Sequence, residues 1–215
     1  RQVIFISKKI LNFLESLVMV RIGLTGIFGS GKSTVCKFFR EKGIPVISCD
    51  FIVSHLLRTK RIRKKIEEEF GKDYFFEDGK LNKRKLAELI FSSADARKRL
   101  NSIIHPEVFK KLEEKLDTYK RNSKIAVVVE IPLLFETRSE NLFDVIVTVS
   151  APYKVIKKRL EKKYSHQEIE KRIKSQMPLK KKEMLSDFII ENSGSLKDTK
   201  KQINKIIEDI TRRYL

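Results

Sequence analysis

The chain has 215 residues, with 47 Lys plus Arg against 28 Asp plus Glu, a formal net charge of +19. At 41% hydrophobic and 35% charged it can bury a core, which excludes the compositional class of disordered chains. Two cysteines, Cys36 and Cys49, exclude a disulfide framework and a Cys/His zinc site and point to a reducing, cytoplasmic setting, while the positive charge implies polyanionic partners without naming their chemistry.

In chain order, the apolar stretch from Val3 to Val18 is broken by Lys8, Lys9 and Glu15. It falls short of the roughly 20 residues a membrane span needs, and it lacks the continuous apolar middle of a signal peptide. Ile6, Ile10, Phe13, Leu14 and Leu17 recur at helical spacing. Residues 1–18 therefore read as an N-terminal extension: a helix packed on the domain, a leader that is not native if Met19 is the ordinary start, or a helix that meets a partner or membrane surface.

From Val20 the pattern becomes α/β. Apolar runs at Val20 to Thr25, Pro45 to Ser48, Ile125 to Ile131, Val145 to Val149 and Phe188 to Ile190 suit parallel strands covered on both faces. Helical patterns lie at Thr34 to Glu41, at Val155 to Glu161 and in the closing series Ile203, Ile206, Ile207, Ile210 and Tyr214. This alternation predicts a doubly wound, five-stranded parallel sheet flanked by helices over residues 19–215. Two long stretches interrupt it, a mostly helical insertion at about 56–119 and a basic helical stretch at 157–182, and connections of that length usually carry function.

The run Gly26-Ile27-Phe28-Gly29-Ser30-Gly31-Lys32-Ser33 follows the first strand and opens a helix, the context of a P-loop as well as its string. Gly26, Gly29 and Gly31 let the backbone fold so that successive N–H groups, including that of Ser30, face phosphate oxygens at the positive end of a helix. Lys32 would bridge the β- and γ-phosphates of ATP or GTP, Ser33 would offer its hydroxyl to Mg²⁺, and Thr34 would add a further phosphate donor. Asp50 follows the second strand, where it would take the proton of an attacking hydroxyl or cap the next helix. Glu130 ends the third strand, as a Mg²⁺-orienting acid or a hydrogen-bonded structural one.

Several stretches together resemble the dephospho-coenzyme A kinase family. They are Ile22-Gly23-Leu24-Thr25-Gly26, Ile44 to Asp50, Asp78-Gly79-Lys80-Leu81 with Ile90-Phe91, Leu100 to Pro106, Pro132 to Glu136, Gln176-Met177-Pro178, and Glu191 to Ser195. The resemblance implies a P-loop NTPase kinase fold with a helical substrate-binding insertion and a helical lid. It also implies an activity: ATP and Mg²⁺ phosphorylating the ribose 3′-hydroxyl of dephospho-coenzyme A. In that reading Asp50 is the base, and His105, Leu133 and Phe135 approach the acceptor. His105 before Pro106 would otherwise shape a turn, and Leu133 and Phe135 would otherwise be core. Arg159 and Arg172, among eleven Lys or Arg against three acids at 157–182, would close over the moving phosphoryl group, and Asn192 belongs to an adenine-contacting loop. Ser195 and Asp198 fit a capping box for the last helix. Two positions depart from the family: Ser48 stands where it has an acid, and Ile27 where it has glycine. A different small-molecule P-loop kinase is the nearest rival reading. A GTP switch or a nucleic-acid binder would draw on the charge, but the chain has no guanine-reading N-K-x-D run and no nucleic-acid module, so no specific nucleic-acid partner is expected.

Overall fold

The structure is a computed structural model that describes residues 19–214; the reading of residues 1–18 falls outside the described residues. The described residues divide into two compact units, Ser48–Asp117 and the described chain on either side of it.

The larger unit is built on a five-stranded parallel sheet with strand order β2-β3-β1-β4-β5. Its strands are β1 (Val20–Thr25), β2 (Val46–Ser48), β3 (Ala126–Glu130), β4 (Val145–Ser150) and β5 (Phe188–Glu191). β1 pairs with β3 from Val20↔Ala126 to Leu24↔Glu130 and with β4 from Ile22↔Val145 to Thr25↔Thr148. Every residue of β4 is buried, as expected where helices cover both faces of a strand. Helices α1 (Lys32–Glu41) and α9 (Leu196–Tyr214) share one core with the strands, with Val35, Phe38 and Phe39 packed beside Ile203, Ile206 and Ile210. The i, i+3, i+7 spacing of those isoleucines is the stripe of a helix with one buried face. Ser195 and Asp198 close α9 with a reciprocal cap: the Ser195 amide donates to Asp198 Oδ2 (3.1 Å) and the Asp198 amide to Ser195 Oγ (3.2 Å).

The Ser48–Asp117 unit holds α2 (Cys49–Leu56), α3 (Lys60–Phe70), α4 (Lys83–Ser92) and most of α5 (Ala94–Arg121). α3 is capped by Thr59 and α4 by Asn82, whose side chains accept from Ile62 N and Lys85 N. Between them the chain turns back at Gly79, whose φ of 71° suits glycine, and Phe75 bridges Leu81 antiparallel. The basic stretch 157–182 folds as the end of α6 (Tyr153–Leu160), then α7 (His166–Lys174) and the start of α8 (Leu179–Met184). Ile156, Leu160 and Ile169 form a second cluster there, and Ile27 joins it. An isoleucine at that loop position thus has an apolar seat. Among the described residues no helix is long and apolar enough to cross a membrane.

Candidate functional site

The loop between β1 and α1 has the backbone of a phosphate cradle. Gly26, Gly29 and Gly31 take φ of 145°, 80° and 95°, a region that L side chains rarely adopt. Space demands glycine as well: a Cβ on Gly26 would lie 2.4 Å from Val149 O, and one on Gly31 would lie 2.0 Å from Asn192 Nδ2. Lys32, the first residue of α1, folds back so that Nζ donates to Gly26 O (2.9 Å) and Ile27 O (3.1 Å). Ser30 is fully buried, and its Oγ has no hydrogen-bond partner. A buried hydroxyl left unpaired is costly, so this atom marks where an incoming oxygen would be welcome. Ser33 is exposed on the first turn of α1, and Thr34 beside it is half-buried.

Three distant segments hold this loop. Asn192, buried just after β5, donates from Nδ2 to Ser30 O (2.9 Å), and its Oδ1 accepts from Thr199 Oγ1 (3.1 Å). Its side-chain amide therefore positions the loop, rather than standing open to a base. Arg159 in α6 donates to Asn192 O (2.6 Å) and Ser30 O (3.3 Å), which places its guanidinium beside the cradle. Gln176 accepts the Phe28 amide at 2.8 Å, and Arg172 lies over both the Phe28 and Tyr164 rings, 5.0 and 4.6 Å from their centroids. Arg172 is thus engaged with the loop's aromatic residue through cation–π contact.

After β3 the chain carries Pro132 to Glu136. Leu133 is 42% exposed and Phe135 only 4%, so the two do not share one surface. Lys182 lies over the Phe135 ring and is completely buried, donating to Pro132 O (2.8 Å) and Glu136 Oε2 (2.9 Å). Glu136 Oε1 also accepts the Met177 amide (2.7 Å), which ties this segment to α8. Burial holds the Lys182 ammonium below the usual lysine range in spite of Glu136. Sequence reasoning missed Lys182, because within a run of three lysines nothing distinguishes the one that turns inward; only Glu136, in the run Pro132 to Glu136, hinted at a partner. Glu130, at the end of β3, is felt by Cys36: burial first, then the Glu130 carboxylate, push that thiol up to about 12, against the opposing charges of Arg40 and Lys32.

Asp50 and His105 belong to the Ser48–Asp117 unit. β2 runs into α2 without a loop, and Ser48 occupies the N-cap position with extended backbone, so Asp50 is a first-turn residue and not the cap. A carboxylate there is stabilised by the helix dipole. His105 and Pro106 lie inside α5, correcting the expectation of a turn; the missing proline N–H is accommodated within the helix. The His105 ring meets Phe109 edge-on at 6.2 Å, and burial holds its pKa below the usual histidine range. Among the described residues no group of three or more His, Cys, Asp or Glu could hold a metal ion.

Residues 20–198 match the family model for dephospho-CoA kinase. The chain is 39% identical over 193 residues to the dephospho-CoA kinase of Bacillus cereus, covering 88% of this chain and 96% of that one. It is 35% identical over 196 residues to the dephospho-CoA kinase of Aquifex aeolicus, covering 90% and 99%. The crystal structure of TT1252 from Thermus thermophilus superposes with a TM-score of 0.77 at 33% identity, covering 90% of this chain and 98% of that one.

Proposed function

The chain belongs to the dephospho-CoA kinase family, and from that premise we propose that it transfers the γ-phosphoryl group of ATP to the ribose 3′-hydroxyl of dephospho-coenzyme A, releasing ADP and coenzyme A. The observation that carries the donor half is the unpaired, buried Ser30 hydroxyl inside a glycine cradle at a helix N-terminus. A triphosphate would supply the missing acceptor there and satisfy the loop amides together.

In this reading Lys32 exchanges its carbonyl partners for the β- and γ-phosphates, and Arg159, already beside Ser30 O, spreads the charge of the moving phosphoryl group. Arg172 fixes the aromatic residue of the loop. Asp50 orients the acceptor hydroxyl and takes its proton. By the family resemblance, His105, Leu133 and Phe135 are the residues assigned to the acceptor. Mg²⁺ fits the donor set in a limited way: Ser33 supplies one hydroxyl, and the remaining positions fall to nucleotide phosphates and water, as Mg²⁺ commonly prefers. Bound there, the ion would neutralise charge on the β- and γ-oxygens.

The test is a coupled ADP-release assay on the full chain with and without dephospho-coenzyme A. ADP release that depends on the acceptor, with phosphate recovered on its 3′-oxygen, is the expected result. Acceptor-independent release, or a preference for a nucleoside or nucleotide acceptor, would overturn the proposal.

A further inference from the structure

Away from the phosphate loop, a cavity of about 430 Å³ opens within the Ser48–Asp117 unit, lined by Leu57, Arg58, Arg63, Lys80, Leu81 and Lys83. Four of the six are cations. Asp78, within electrostatic reach of Arg63, is already engaged: its carboxylate takes the Lys80 amide (3.0 Å) and Lys80 Nζ (2.6 Å). Among the described residues Arg58 and Lys83 make no ion pair. Arg63 donates from Nη1 to Gly79 O (2.9 Å), but its Nε is buried with no hydrogen-bond partner. A guanidinium N–H withdrawn from water and left unpaired is a donor that an anionic oxygen would satisfy. Lys83 is also the first residue of α4, whose first turn carries no acid, so the positive end of that helix adds to the same field.

We propose that this cavity is an anion site that takes the 5′-diphosphate of the acceptor; the inference rests on the dephospho-coenzyme A reading above. α2 links the two functions. Asp50 stands in its first turn, and Leu57 and Arg58 follow its last, a separation of about 12 Å at 1.5 Å per residue. A ribose, its 5′-diphosphate and the length of an arginine side chain together bridge that span. The hydroxyl addressed by Asp50 and the phosphates addressed by Arg58, Arg63 and Lys83 then belong to one molecule. Leu57 and Leu81 offer an apolar wall to the pantetheine arm beyond the phosphates.

The experiment uses the full chain with Arg58→Ala/Lys83→Ala, two exposed positions that leave Arg63 and its structural bond in place. KM for dephospho-coenzyme A should rise roughly tenfold or more, with kcat and the KM for ATP held within about twofold, the split expected when uniform binding is removed. The control Lys64→Ala/Lys98→Ala removes the same charge outside the cavity and should leave all three constants alone. In parallel, NMR follows the Gly79 and Lys83 amides of the wild-type chain at fixed ionic strength. Inorganic pyrophosphate should shift both, and dephospho-coenzyme A should shift the same pair. Shifts with pyrophosphate alone would mean a site for free phosphate and overturn the acceptor assignment. Silence with both ligands, or equal KM changes in the control, would overturn the site altogether. Pyrophosphate shifts in a chain that shows no acceptor-dependent ADP release would sink the enzyme reading and leave the anion site standing.

Discussion

Gly31 and Asn192 sit so close that a Cβ on the glycine would lie 2.0 Å from Asn192 Nδ2, while the same amide nitrogen donates 2.9 Å to Ser30 O. The segment after β5 thus clamps the phosphate loop 162 residues away in sequence. Gly31→Ala should break this clamp on two counts, because φ is 95° at that position and the new methyl would displace a buried amide. ATP affinity measured by calorimetry should fall by roughly 10² or more, with the far-ultraviolet circular dichroism unchanged, the penalty falling on preorganisation of the cradle. ATP affinity equal to that of the wild type would show that the loop does not need this geometry.

Asp50→Asn keeps the size and the position of the side chain in the first turn of α2 but removes its capacity to take a proton. We expect kcat to drop roughly 10²- to 10⁴-fold, with ATP binding intact. Near-normal turnover in a steady-state assay would take Asp50 out of the chemistry.

Lys182, with no exposed surface, is held by Glu136 Oε2 and Pro132 O. Lys182→Ala strands a partly buried carboxylate and a carbonyl, and urea unfolding should report a loss of about 3–5 kcal/mol. Lys182→Met/Glu136→Gln should recover much of that loss, since it removes both charges while the Gln oxygen can still accept the Met177 amide. Additive losses in the double variant would mean that the two residues act independently.

Cys36 ionises in the folded chain only near pH 12, against a reference value of 9.0. The folded state therefore keeps the thiol proton longer than the unfolded chain does. The stability this contributes is complete below about pH 9 and is lost as pH rises towards 12, on the order of 4 kcal/mol in all. Urea midpoints of wild type and Cys36→Ala between pH 8 and pH 10.5 isolate the effect, because Lys182, whose depressed pKa acts in the opposite sense, is common to both. The difference between the two proteins should shift against the wild type as pH rises. A flat difference would mean that the thiol is not held neutral by its surroundings.

How much of this was legible in the sequence depends on how far apart the interacting residues lie. The loop from Gly26 to Ser33 could be read directly, because a phosphate cradle is made by consecutive residues between one strand and one helix. All five strands could be placed to within a residue or two, because strands buried on both faces must be apolar throughout, and α9 announced itself through isoleucines on one stripe. The dipeptide His105-Pro106 misled, since proline's local preference for a boundary was overridden by a 28-residue helix whose Ala96, Leu100, Ile104, Val108 and Leu112 are buried.

The sequence by itself determined the α/β class, the glycine-rich loop between β1 and α1 and the family, all properties of local pattern and of motifs in order. Only the tertiary structure decided the strand order β2-β3-β1-β4-β5, the burial of one lysine among Lys180, Lys181 and Lys182, the fastening of Asn192 to Ser30 O, and the unpaired Nε of Arg63. These depend on which distant groups are withdrawn from water together, and the cost of burying a polar atom is fixed by the partner it meets there, a partner the chain's own neighbourhood does not name.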